Sequence, residues 1–148
     1  MPGDQQVAGL FSSPASLSRL YNAAVTQPEP IVRYRSDTQP IDCPYGRVQR
    51  VVTGGDGGLA NVHVVRVTAG SPHSHKGYDE TYYCLAGTGT LTVDGRDHRL
   101  RPGAVAVIPR GTLHALQADA GQVLEFIIFG TPPMAADDPR FAPRKPDE

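Results

Sequence analysis

From Ile31 to Gly130 the chain alternates short apolar runs with polar breaks marked by glycine, proline or aspartate. The runs are IVRYR (31–35), RVQRVVT (47–53), NVHVVRV (61–67), ETYYCLAGTGTLTVDG (80–95), HRL (98–100), GAVAVIP (103–109), HALQ (114–117) and QVLEFIIFG (122–130). They are rich in valine, isoleucine, threonine and aromatic residues, and no helical period lies between them. Strand-like runs recurring every ~8–12 residues predict an antiparallel sandwich or barrel. Asp94-Gly95 joins two of the runs as a hairpin turn. TGGDGG (53–58) is a second turn. No Lys-Ser/Thr pair follows it and no helix pattern opens after it, so it reads as a hairpin loop and not as a phosphate cradle.

The ends differ in texture. Residues 1–30 read as a peripheral arm, in which Ser13 caps a short helix with Pro14 in its first turn, running to about Val25. QPEP at 27–30 ends it. The last segment, 131–148 (TPPMAADDPRFAPRKPDE), is proline-rich and charged, and predicts an extended or partly disordered tail. The expected organisation is therefore an arm (1–30), a β-domain (31–130) and a tail (131–148).

Composition narrows the function classes. The 148 residues make one domain's worth of chain, with 39% hydrophobic and 20% charged residues. A formal net charge of −1 provides no field to draw the chain to nucleic acid or to an acidic membrane. No apolar run is long enough to cross a bilayer, and the first residues lack the pattern of a secretory signal. The two cysteines, Cys43 and Cys84, are too few for a disulfide framework and read as reduced thiols of a cytoplasmic protein.

The candidate chemistry lies between 73 and 114. His73 and His75 are two apart, so on a strand their side chains share a face. Glu80 heads the next run, and His114 follows the Pro109–Gly111 turn. Antiparallel strands could bring the four together. Three neutral imidazoles and a carboxylate suit Fe, Mn, Ni or Zn rather than Ca²⁺ or Mg²⁺. Taken alone, His-x-His is as well read as exposed loop histidines or as core histidines with hydrogen-bond partners.

The spacing around these residues resembles the two motifs of the cupin superfamily. The first, G-x5-H-x-H-x4-E-x6-G, is met by His73, His75, Glu80 and Gly87. The second, G-x5-P-x-G-x2-H-x3-N, is met by Gly103, Pro109, Gly111 and His114. The departures are Val67 in place of the first glycine, where Gly70 takes over the turn, and Ala118 in place of asparagine. Neither is a ligand position. The resemblance implies a double-stranded β-helix (a jelly-roll barrel) over about 31–130. It implies one divalent transition metal on His73, His75, Glu80 and His114, a small-molecule substrate and a homodimer.

Strand parity extends the site. With Glu80 inward, Tyr82 and Cys84 also point inward, and with His114 inward so does Leu116. Tyr82 is either a substrate-positioning hydroxyl or proton donor, or a filler of the interior. His63 and Arg66 lie on opposite faces of one strand, so only one faces the site, His63 as a base or further ligand, Arg66 as a holder of an anionic substrate. Glu125 interrupts VLEFIIF and is expected in a rim ion pair, and Tyr78 is expected at the pocket entrance. The resulting expectation is a metal-dependent enzyme acting on a small organic metabolite, leaning towards dioxygenase-type oxidation. The alternatives are a Lewis-acid isomerase, cyclase or lyase, and a non-catalytic binding module. A regulator's sensor domain is disfavoured because no helix-turn-helix segment is attached.

Overall fold

The computed structural model describes residues 29–43, 46–139 and 142–147. The chain divides into two compact units, Met1–Pro30 and Ile31–Glu148. The helix expected near 13–25 lies outside the described residues. In the second unit nine strands are described: β1 (Ile41–Cys43), β2 (Gly46–Val52), β3 (Asn61–Val67), β4 (Asp79–Ala86), β5 (Gly89–Val93), β6 (Arg96–Leu100), β7 (Val105–Ile108), β8 (His114–Ala118) and β9 (Leu124–Thr131). They form a six-stranded sheet, β1-β2-β3-β9-β4-β7, and a three-stranded sheet, β6-β5-β8. Each strand-to-strand pairing is antiparallel. The expected jelly-roll barrel is thus seen as two antiparallel sheets, with no closed ring of strands among the described residues.

Alternation places the core between the sheets. Val65 and Val67 of β3, Tyr82 and Cys84 of β4, Leu91 of β5, Leu116 of β8, and Leu124 and Phe126 of β9 are all buried in one cluster. Apart from Val64, which is also buried, their neighbours in sequence are partly or fully exposed, which is the period-two pattern of a sheet with one covered face. The chain passes from the large sheet to the small one at Gly87, whose φ is +78°. A Cβ there would lie 2.1 Å from the carbonyl oxygen of Val123, so the crossing admits only glycine. Asp94 (φ 46°) and Gly95 (φ 76°) turn β5 into β6 as the Asp-Gly signal predicts.

Two expectations about the chain are corrected. The run 31–35 is not a strand: Val32 and Tyr34 are exposed, and Arg35–Asp37 forms a single 3-10 turn. The segment after β9 is not a loose tail. Met134 is 3% exposed and packs with Tyr78. Gly54 N donates to Met134 O at 2.8 Å, and Asn61 Oδ1 accepts from Met134 N at 3.1 Å and from Gly54 N at 3.2 Å. Further on, Ser74 and Arg144 exchange two main-chain hydrogen bonds of 2.9 and 2.8 Å. Its proline and charge content signals a solvated segment, but these long-range backbone bonds and one buried methionine hold it against the domain.

Gly87→Ala is expected to cost about 2 kcal/mol or more of stability by urea unfolding. Gly57→Ala, at a similar φ of +81° but with nothing within 4 Å of the added Cβ, is expected to cost about 1 kcal/mol from backbone strain alone. Equal losses would show that the approach to Val123 is not what reserves Gly87.

Candidate metal centre

The site is assembled by main-chain bonds between segments distant in sequence. His73 N donates to His114 O and His114 N donates to His73 O, both at 2.9 Å. This isolated antiparallel bridge joins the segment leading into β4 to the first residue of β8. Gly111, at φ +80°, donates its N–H to His75 O at 2.6 Å, and Thr112 N closes the turn on Pro109 O at 3.2 Å. The Pro109–Gly111 turn therefore docks on the His-x-His segment and delivers His114 beside it.

His73, His75 and His114 are buried, and one ring nitrogen of each lies within 4.8 Å of one from each of the others. Each Nδ1 has its own partner at 2.9 Å. For His73 it is the Ser71 carbonyl, for His114 the Thr112 carbonyl, and for His75 the Tyr78 hydroxyl. With Nδ1 protonated towards a carbonyl, Nε2 is left as a lone-pair donor, the tautomer that metal ligation requires. Tyr78 also stacks on His75, with ring centroids 4.6 Å apart.

Glu80 closes the group on one side. Its Oε1 lies 3.5 Å from His75 Nε2 and its Oε2 3.3 Å from His114 Nε2. His114 Nε2 is buried with no hydrogen-bond partner among the described residues. An unbonded buried nitrogen is costly, and here it faces a carboxylate and two other imidazoles. This donor set fits a transition-metal ion of the zinc or iron type. Tyr82 supports Glu80 from within, its hydroxyl donating to Oε2 at 2.8 Å.

Burial sets the protonation states. It pushes His73 down to about 4, with the charge of His114 adding to the effect. It does the same to His63, helped by Arg50, and it lowers His75 although Glu80 opposes the shift. Burial alone would raise Glu80, but contact with His114, the charges of His75 and His114, and the Tyr82 hydroxyl outweigh it and keep the carboxyl below its ordinary value. Burial and the adjacent carboxylate push Tyr82 well above its ordinary value. Near neutral pH His73 and His75 are thus neutral imidazoles beside one carboxylate and a protonated phenol.

These residues open into a cavity of about 460 Å³. His63 lines it, buried on the inward face of β3. Arg66 does not. It lies on the outer face, exposed, with Nε 3.3 Å from Glu125 Oε2, and Glu125 also binds Arg35 at 2.8 Å. The expectation that Arg66 holds substrate inside is corrected, because β3 turns its odd-numbered positions inward. Cys84 is buried in the core, with its thiol pushed up by burial, and His98 is exposed. Arg50, which the sequence reading did not single out, lines the cavity opposite His63 in the β2–β3 ladder. The signal that could have found it was parity with Val48, two residues earlier and buried.

Comparison with known proteins places these features in context. Residues 62–130 match the family model of the cupin domain. A stretch of 48 residues is 38% identical to the quercetin 2,3-dioxygenase of Bacillus subtilis (strain 168), covering 32% of this chain but only 14% of that protein. Among solved structures, a polyketide cyclase from Streptomyces resistomycificus is similar at a TM-score of 0.63 and 20% identity, over 79% of this chain and 85% of its own. An ectoine synthase from P. lautus is similar at a TM-score of 0.59 and 23% identity, over 71% and 80%. A predicted oxalate decarboxylase from Thermotoga maritima is similar at 0.58 and 19%, over 68% and 97%. At these identities the structural likenesses are likenesses of fold.

The depressed histidines make a pH prediction for chelator-treated protein. His63 and His73 bind protons near pH 6.5 when unfolded but only near 4 when folded. Between those values the unfolded chain holds more protons, so stability is present above 6.5 and is lost as pH falls towards 4. Thermal melts from pH 7.5 to 4.5 should record a falling midpoint, less steep in His63→Gln. A flat profile would contradict the burial-driven shift.

Proposed function

We propose that the chain, whose residues 62–130 match the cupin domain family, is a metal-dependent enzyme acting on a small organic molecule. The observation that carries this reading is the convergence of three buried imidazoles whose Nδ1 atoms are all engaged, with Glu80 at 3.3 and 3.5 Å from two of them. His73, His75, His114 and Glu80 would hold the ion, one divalent Fe, Mn, Ni or Zn. When bound, such an ion supplies Lewis-acid polarisation of a substrate oxygen and, where it is redox-active, a route for electrons to dioxygen.

The chain's own groups supply the rest. Tyr82, kept protonated by burial beside Glu80, is a proton donor or an orienting hydroxyl. His63, neutral near pH 7, is a proton acceptor on the wall of the same cavity. Val48, Val65, Leu116, Phe126 and Ile128 exclude water and take up apolar substrate surface. The reaction we favour is oxygen-dependent oxidation. It is supported by the 38% identity of the 48-residue segment to a dioxygenase. A second reading, non-oxidative isomerisation, cyclisation or elimination, is favoured by one observation: a proton acceptor (His63) and a proton donor (Tyr82) line the same cavity, as acid–base chemistry needs.

Protein purified without chelator should contain about one equivalent of a transition metal by elemental analysis. His75→Ala and His114→Ala should each lower that by about tenfold or more, since each removes a third of the imidazole set. Metal retained at the wild-type level in both variants would place the ion elsewhere. Turnover of phenolic or diketone substrates should consume dioxygen in an oxygen-electrode assay. Undiminished turnover under strict anaerobiosis would exclude oxidation and leave the acid–base reading.

A further inference from the structure

The cavity carries its own cation, and it is not the one strand parity offered. β2 turns Val48 and Arg50 inward, and its ladder with β3 shifts register between Arg50 and Val52. Such an irregularity re-aims side chains and recurs beside functional sites. It makes Arg50 the last side chain of β2 to face the cavity. Arg50 is the cross-strand partner of His63, and its Nε is buried. Among the described residues it is the one lysine or arginine on the cavity wall; the acidic groups there are Glu80 at the histidine end and Asp137 and Asp138 on the C-terminal segment.

The order of groups along the wall is informative. In the sheet order β2-β3-β9-β4, Arg50 pairs with His63, His63 with Ile128 and Ile128 with Tyr82, so His63 lies between Arg50 and the strand that carries Glu80. Because His63 is neutral, it does not cancel the positive charge next to it. A guanidinium presents a planar fork matched to a carboxylate. Low-dielectric walls strengthen that pairing relative to water, and Val65, Phe126 and Ile128 provide such walls.

We propose that Arg50 is a specificity-determining residue that binds the carboxylate of a small organic acid. The acid lies with its apolar body against Val65, Phe126 and Ile128 and its other end towards His73, His75 and His114. This rests on the metal-enzyme reading only for what happens at that other end.

The test uses benzoate and its neutral isostere benzamide as probes, titrated by calorimetry into the full chain, once stripped with chelator and once loaded with metal. Both forms of the wild type should prefer benzoate by about tenfold or more, a difference of about 1.4 kcal/mol. Arg50→Gln should abolish the preference without changing metal content, and Arg50→Lys should keep part of it. Equal affinities in the wild type, or a preference that survives Arg50→Gln, would overturn the proposal. A preference seen only in the loaded form and unchanged in Arg50→Gln would mean that the ion holds the carboxylate, and would overturn it too. A wild type that takes up no metal yet shows the Arg50-dependent preference would support this assignment while refuting the metal centre.

Discussion

The paired main-chain hydrogen bonds between His73 and His114 are the constraint on which the site depends. Forty residues lie between the two histidines, and His73 stands in a segment outside the named strands while His114 opens β8. The reciprocal N–H···O bonds set the two backbones in register, and Gly111 N on His75 O fixes the turn beside them. Side-chain convergence then follows from backbone geometry. The glycine at 111 is required because its φ of +80° lets the turn point its N–H at the His75 carbonyl.

That arrangement buries several groups which prefer water. Four histidines and a glutamate on the cavity wall or at its floor are less than a tenth exposed. The protein answers in two ways. Neutral imidazoles carry no net charge to desolvate, which is why the affinity of His63, His73 and His75 for protons falls. Each ligand-type histidine also spends Nδ1 on a fixed partner, and for His73 and His114 that partner is a carbonyl, which leaves Nε2 as the lone-pair nitrogen. What is left over, the buried His114 Nε2 with no hydrogen-bond partner among the described residues, beside a carboxylate, is the arrangement an ion would complete. Binding there and folding are therefore linked.

The C-terminal segment joins this network from outside the two sheets. Met134 packs on Tyr78, whose hydroxyl holds His75, and Arg144 pairs with Ser74, the residue between two of the histidines. Residues that read as a solvated tail thus bear on the orientation of the site and wall its cavity. Asn61 is the hinge of that attachment, since its single buried side-chain oxygen accepts from both Gly54 and Met134. Nothing local to the proline-rich stretch announces this, because the partners lie some seventy residues away.

The sequence by itself determined the candidate ligand set, the all-β class and the sheet face of each residue relative to its strand neighbours. Those follow from spacing and from the two-residue period of a strand, which are local. Glu80, Tyr82 and Cys84 share a face for that reason, as do His114 and Leu116. Tertiary structure decided the absolute choice between faces: parity sets His63 and Arg66 on opposite sides of β3 but is silent on which side the second sheet covers. It also decided that the face of β2 shared by Val48 and Arg50 is the one turned to the cavity, and that the register shift after Arg50 ends that face there. It docked residues 132–139 and 142–147, whose holding bonds form only when distant backbones meet. Local chemistry is written in adjacent residues, whereas burial and register are properties of pairs of segments, and these exist only in the folded chain.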